Sequence, residues 1–243
     1  MSYSSKTLDV LEYAQEHPLT CQSEKMAYLP LDQLDSSRLP DVVAKLNRDD
    51  IILPLHEANR INAIKSDDKR RQHLADVTMA LLYIPCGGLD EAHDIVLPYS
   101  WPDPTEQAGQ PIKDSPASHE SKYAHAFVHR KEGDIHGELG MIGFDNACYW
   151  FGTTGYHPLY PVVKSRALDL AKHVDEDTQK LVLERLDGCD WYPDRFTKLC
   201  EMALKSKDDK LTSYCSEVTR MEWKLLLDVC NNIVNPSQLT IKV

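Results

Sequence analysis

The 243 residues suffice for one large domain or two small ones, and 42% hydrophobic against 27% charged residues excludes global disorder. A formal charge of -11 would repel a phosphate backbone and only the short run "DDKRRQH" opposes it, so nucleic acid is excluded as the expected partner. No apolar run nears the roughly 18 residues of a membrane span and "MSYSSKTLDV" lacks a signal-peptide core, so the expected address is the cytoplasm, away from any membrane.

In chain order, "TLDVLEYAQEH" predicts a first helix with Thr7 as its cap, followed by a polar, proline-dotted stretch. Residues 1 to 39 thus read as an N-terminal helix and irregular arm, and "LPDVVAKLNRD" resumes a short helical pattern. "DDKRRQHLADVTMALLYI" carries Leu74, Val77, Leu81 and Ile84 on one side and predicts a central core helix. "PCGG" ends it, and "LDEAHDIVLPY" opens the next with acidic residues in its first turn, where the helix dipole favours them. Residues 98 to 118 hold five prolines and read as an exposed loop. "SHESKYAHAFVHRKE" predicts a helix capped by Ser118 and ended by Gly133. A glycine-rich turn, the short aromatic helix "NACYWF" and four more amphipathic segments follow. The expected fold is all-α: one domain, residues 40 to 243, of stacked helical hairpins in a multi-helix bundle.

Seven widely spaced cysteines with no C-x-x-C pair read as mostly reduced, buried thiols, which removes a zinc ribbon. There is no G-x-S-x-G, G-x-G-x-x-G or P-loop. The chemistry concentrates in "SKYAHAFVHRKEGDIHGE". His125 and His129 are one helical turn apart and Glu132 follows three later, so all three share a face. H-x3-H is a metal-chelating spacing, and Zn, Fe, Mn, Ni or Cu each accept imidazole. His136 is a weaker candidate, because Gly133 interrupts the helix before it. His93, between the inward-facing Leu89 and Val96, is a third candidate ligand. Against this stands a bland alternative in which histidines and acids form only a buried hydrogen-bonded network. Asn146, Tyr149, Trp150 and His157 in "FDNACYWFGTTGYHP" read either as a substrate pocket or as an aromatic core cluster.

The ordered stretches "LDEAHDIV", "HAFVHRKEGD", "DNACYWFGTTGYHP", "WYPDRFTKLCE" and "RMEWKLLLDVC" resemble a family of small uncharacterised helical proteins from fungi and bacteria. The likeness runs from about residue 74 to 230 and departs at "IHGELGMIGF", an insertion, and at "WYPDRF". It implies a shared helical fold and a shared site that includes Asp134, and it supplies no reaction.

The expected function is a metal-dependent enzyme of hydrolytic or eliminating type acting on a small-molecule substrate. Its metal ligands would be His125, His129 and one of His93 or Glu132, with Zn, Fe or Mn as the divalent ion. Glu132, His93 and Arg130 are the candidate catalytic residues, Glu132 as base and Arg130 for an anionic substrate group. Asn146, Tyr149, Trp150 and His157 would bind the substrate. The rival is a helical-repeat-like interaction module, and a third reading is metal-free binding or His/Glu acid–base catalysis. A homo-oligomer is compatible with the sequence.

Overall fold

A computed structural model describes residues 3–19, 21, 26–44, 46–53, 68–137, 140–188 and 190–236. Among them are ten α-helices and no strand; only two isolated bridges, Thr105 with Gly109 and His136 with Ile142, have β geometry. The all-α reading holds, and among the described residues no helix is long and apolar enough to cross a membrane.

Helix α1 (Ser5–Glu16) is capped by Ser4, whose Oγ accepts from the Thr7 backbone N–H; Thr7 itself lies buried one turn inside, not at the cap. The short pattern after Pro40 does not run through: a turn occupies residues 41–44, and α2 (Arg48–Ile51) starts separately because Asn47 forms a reciprocal capping box with Asp50. The arm is tied down, with Val10, Ala14, Leu19, Met26 and Leu39 buried in the same apolar core as the later helices.

Helices α3 (Asp68–Tyr83) and α4 (Leu89–Ser100) form the expected hairpin. Pro98 lies inside α4, where it has no N–H to continue the helical ladder, and the helix ends two residues later. The loop therefore begins at Trp101, not at residue 98. The Ile112 N–H donates to the Pro98 carbonyl at 2.7 Å and holds the loop against the helix end.

Helix α5 (Ser118–Glu132) follows, with Ala117 rather than Ser118 at the cap, and Gly133 ends it at φ 77°. A backbone in that region favours glycine. Helices α6 (Gly143–Thr154), α7 (Tyr160–Ala171), α8 (Glu176–Leu186), α9 (Pro193–Ser206) and α10 (Asp209–Val234) complete the chain. Contacts run α3–α4–α5–α6–α9–α10 and return from α10 to α3, so the hairpins close into a ring. A solenoid would contact only its sequence neighbours.

Helix α5 is buried on nearly every side. At about 100° per residue, His125, His129 and Glu132 share one face, whereas Tyr123, Phe127 and Arg130 lie roughly 160° away on the other. The first face looks to α4 and α6, and the second to α10, where Arg130 pairs with Glu222 at 2.6 Å. The six described free cysteines include four buried ones, and Cys189 lies outside the described residues.

Candidate metal centre

His93 from α4 meets His125 and His129 from α5, all three buried, with one donor atom from each within 4.8 Å of the others. Each Nδ1 is held from behind. The His129 Nδ1–H donates to Glu132 Oε2 at 2.9 Å, and His93 Nδ1 lies 3.3 Å from Asp94 Oδ1. His125 Nδ1 is 2.9 Å from Ser100 Oγ. That hydroxyl donates its one hydrogen to the Val96 carbonyl at 2.9 Å, so it accepts from His125 and fixes the Nδ1–H tautomer. The arrangement leaves Nε2 as the ligating nitrogen of each ring, that of His129 being met by the Asn146 amide. Carboxylates and hydroxyls on the remote ring nitrogen are how ligating imidazoles are oriented and kept basic.

Buried His125 Nε2 has no hydrogen-bond partner. A buried imidazole acceptor without a partner from the protein is costly, so this atom is suited to a ligand. Burial pushes the His125 imidazolium well below the ordinary histidine range, with His93 and His129 adding repulsion. His129 is lowered as well, first by burial and against the pull of Glu132. Neutral imidazoles are the ligating form. Two nitrogens on one tetrahedral zinc stand about 3.4 Å apart at bond lengths near 2.05 Å, so the widest pair would close by up to about 1.4 Å.

The local sequence explains the convergence. Ser100 is seven residues after His93 on α4 and shares its face. Helix α6 approaches α5 at Gly143, where an added Cβ would sit 2.6 Å from the His129 carbonyl and 2.8 Å from that of Gly133. One turn later Asn146 Nδ2 reaches His129 Nε2 at 3.1 Å. The Trp150 indole, one further turn along α6, stacks on the His125 ring at 3.9 Å between centroids.

The trio forms part of the lining of a cavity of about 590 Å³. Leu97, Trp101, Met141, Tyr149 and Trp150 supply its apolar walls, and Asn146 and Tyr28 its polar points. Thr105, Glu106 and Gln107 of the proline-rich loop stand at its rim, and Gly137 and Met141 bring in the insertion "IHGELGMIGF".

The structure thus brings together His93, His125, His129, Asn146, Tyr149 and Trp150. It places Glu132 behind His129, with Oε1 accepting from the Tyr28 hydroxyl at 2.7 Å and Oε2 from the imidazole, so both oxygens are engaged away from a substrate. Arg130 is not in the cavity. Its guanidinium is packed among Phe127, Phe151 and Phe196 and paired with Glu222, which also accepts from Tyr123, so it cannot receive a substrate anion. His157 is also elsewhere, buried beside His119, Tyr123 and Tyr160, and His136 is exposed. Asp134 is exposed beyond the end of α5.

Sequence spacing missed Tyr28, Asp94 as an orienting acid, Ser100 and Trp101. Ser100 had a signal in its helical spacing from His93. Tyr28 had none, since the arm reaches the site only through tertiary structure: Asp90 Oδ1 accepts from the Ala27 and Tyr28 N–H groups at 2.6 and 2.9 Å, holding Tyr28 at φ 53°.

The chain matches no protein-family model, no curated protein and no solved structure.

Proposed function

We propose that the chain is a metal-dependent enzyme acting on a small molecule, with His93, His125 and His129 as the ligands of one divalent ion. The observation that carries this reading is the set of three buried imidazoles, each engaged at Nδ1 from behind, beside an open cavity. Three neutral nitrogen donors leave the ion its full charge and an open position, the arrangement of catalytic rather than structural sites. An ion there supplies Lewis-acid activation of water or of a substrate oxygen, suited to hydrolysis or elimination. Zn and Fe suit imidazole best; Mn suits oxygen donors better and is the weaker choice. The protein's own part is orientation. Asp94, Ser100 and Glu132 hold the rings, Trp150 covers His125, and Asn146, which lies on His129 Nε2, would turn to bond a group at the open position.

A second reading, metal-free acid–base chemistry by the His129–Glu132 pair, has one specific support: the Asn146 amide lies on the His129 Nε2 lone pair that a metal would take. The interaction-module reading has less support, because the helical ring closes and its polar cluster borders a cavity.

Metal content by plasma mass spectrometry, on protein purified without a histidine tag, separates these readings. Near-stoichiometric metal in wild type, lost in a His125→Ala/His129→Ala variant that keeps its helical circular dichroism, is the expected result. Wild type that holds none after reconstitution overturns the proposal.

A further inference from the structure

The cavity walls specify a class of molecule more closely than the ligand set does. Trp101 stands edge-on to Trp150 at 5.8 Å, Tyr149 edge-on at 5.4 Å, and Leu97 and Met141 add apolar surface. Aromatic walls of this kind give a planar ring large contact at little conformational cost. Of the described residues lining the cavity, none is lysine or arginine, and the one carboxylate is Glu106 at the rim. Arg130, the nearest basic residue in sequence to the trio, is only 1% exposed and is neutralised by Glu222 on the opposite face of α5. A carboxylate or phosphate on the part of the substrate outside the centre would therefore meet aromatic faces and Glu106, with no lysine or arginine among the described lining residues to bind it. Such groups are recognised by guanidinium and ammonium forks. An amine would instead find Glu106 and the aromatic faces, both of which attract cations.

Resting on the three-histidine centre as the reactive end of the cavity, we propose that the protein walls of this site take a planar aromatic or heteroaromatic molecule whose part outside the centre is neutral or cationic, and disfavour an anionic substituent there. The ring lies between Trp101, Tyr149 and Trp150, its uncharged polar end reaches the imidazoles and Asn146, and a cationic substituent faces Glu106.

The test uses full-length protein stripped of metal, so that wall recognition is read apart from ion coordination. Naphthylmethylamine, naphthylmethanol and naphthoate share one ring and differ in charge, and their binding is followed by titration calorimetry and tryptophan fluorescence. The amine and the alcohol should bind, with naphthoate at least tenfold weaker. Trp101→Ala, a substitution at the loop edge of the cavity, should weaken both ligands roughly tenfold, the scale of a lost aromatic pair plus its buried area. Glu106→Gln should weaken the amine about threefold and leave the alcohol unchanged, as for an exposed ion pair. Naphthoate binding as tightly as the amine overturns the inference, as does failure of all three to bind, or binding indifferent to Trp101→Ala. Metal content measured on the same preparations reports the centre separately. Protein that holds metal yet binds no probe keeps the centre and loses this inference, whereas the reverse outcome keeps the class and loses the centre.

Discussion

The Tyr28 hydroxyl donates to Glu132 Oε1 at 2.7 Å, joining the N-terminal arm to the carboxylate that orients His129 from 104 positions away. The bond makes the arm part of the site wall. It also gives Glu132 a second donor, so that its charge is held in place while the imidazole keeps its Nδ1–H.

Glu132→Gln should weaken metal binding by about 10- to 100-fold, the range for partners that orient a ligating histidine. Tyr28→Phe should fall at the low end, because it removes one of two bonds to the same carboxylate. Competition with a coloured chelator measures both. Equal affinity in all three proteins would remove Glu132 from the centre.

Metal should stabilise the fold as any ligand of the native state does. At free metal a thousandfold above the dissociation constant the gain is about 4 kcal/mol. For a chain of this size that raises the melting temperature by on the order of 10 °C. A chelator should reverse the rise, and His125→Ala/His129→Ala should abolish it. Calorimetric scans with and without the chelator check this.

Glu222→Gln should cost about 3 to 5 kcal/mol of stability, since it leaves the Arg130 guanidinium charged and buried among three phenyl rings. The partner change Arg130→Met should cost less than the loss of Glu222 alone if Glu222→Gln is already present. Urea unfolding of the two single variants and the double variant measures the coupling.

Burial lowers His157 from 6.5 to about 4, with His119 adding repulsion. The folded chain therefore takes up this proton later than the unfolded chain as pH falls. The stability associated with a neutral His157 is complete above pH 6.5 and is lost as pH drops towards 4. Its ceiling is about 3 kcal/mol, at roughly 1.4 kcal/mol per pH unit between the two values. His125 and His129 are lowered in the same direction, so wild type should weaken steeply in this window. His157→Gln should show a shallower slope between pH 6.5 and 4, read from denaturant midpoints at fixed pH. A slope identical to wild type would place the proton elsewhere.

Gly143→Ala should destabilise by about 1 to 3 kcal/mol, since its Cβ has no room between the His129 and Gly133 carbonyls. The displaced α6 should loosen Asn146 and Trp150 as well. Tryptophan fluorescence alongside the melting curve registers both effects.

The helices were legible because their cues are local: apolar periodicity for α3, α5 and α10, and Gly133 at the end of α5. Caps were less so, as with Thr7 and Ser118, where several hydroxyls compete within one turn. The trio was legible for the same reason, His125 and His129 by spacing and His93 by its place among inward-facing residues. Arg130 was misplaced, yet its position is readable in retrospect: one residue past His129 is a quarter-turn too far to share the face, and with Tyr123 and Phe127 it belongs to the other side. Tyr28 and Trp101 were not legible, because an arm and a loop reach the cavity through contacts distant in sequence.

Helix α5 carries two polar sets on opposite faces, the imidazoles towards the cavity and Arg130 towards α10. Neither set tolerates the other's surroundings. A turn of the helix about its own axis would drive the guanidinium towards the indoles and the imidazoles in among the phenyl rings. The ion pair with Glu222 therefore acts as a key in a slot, fixing the azimuth at which the three rings converge. Alignment of the three rings is set from the far side of the helix, by a residue that never meets the cavity.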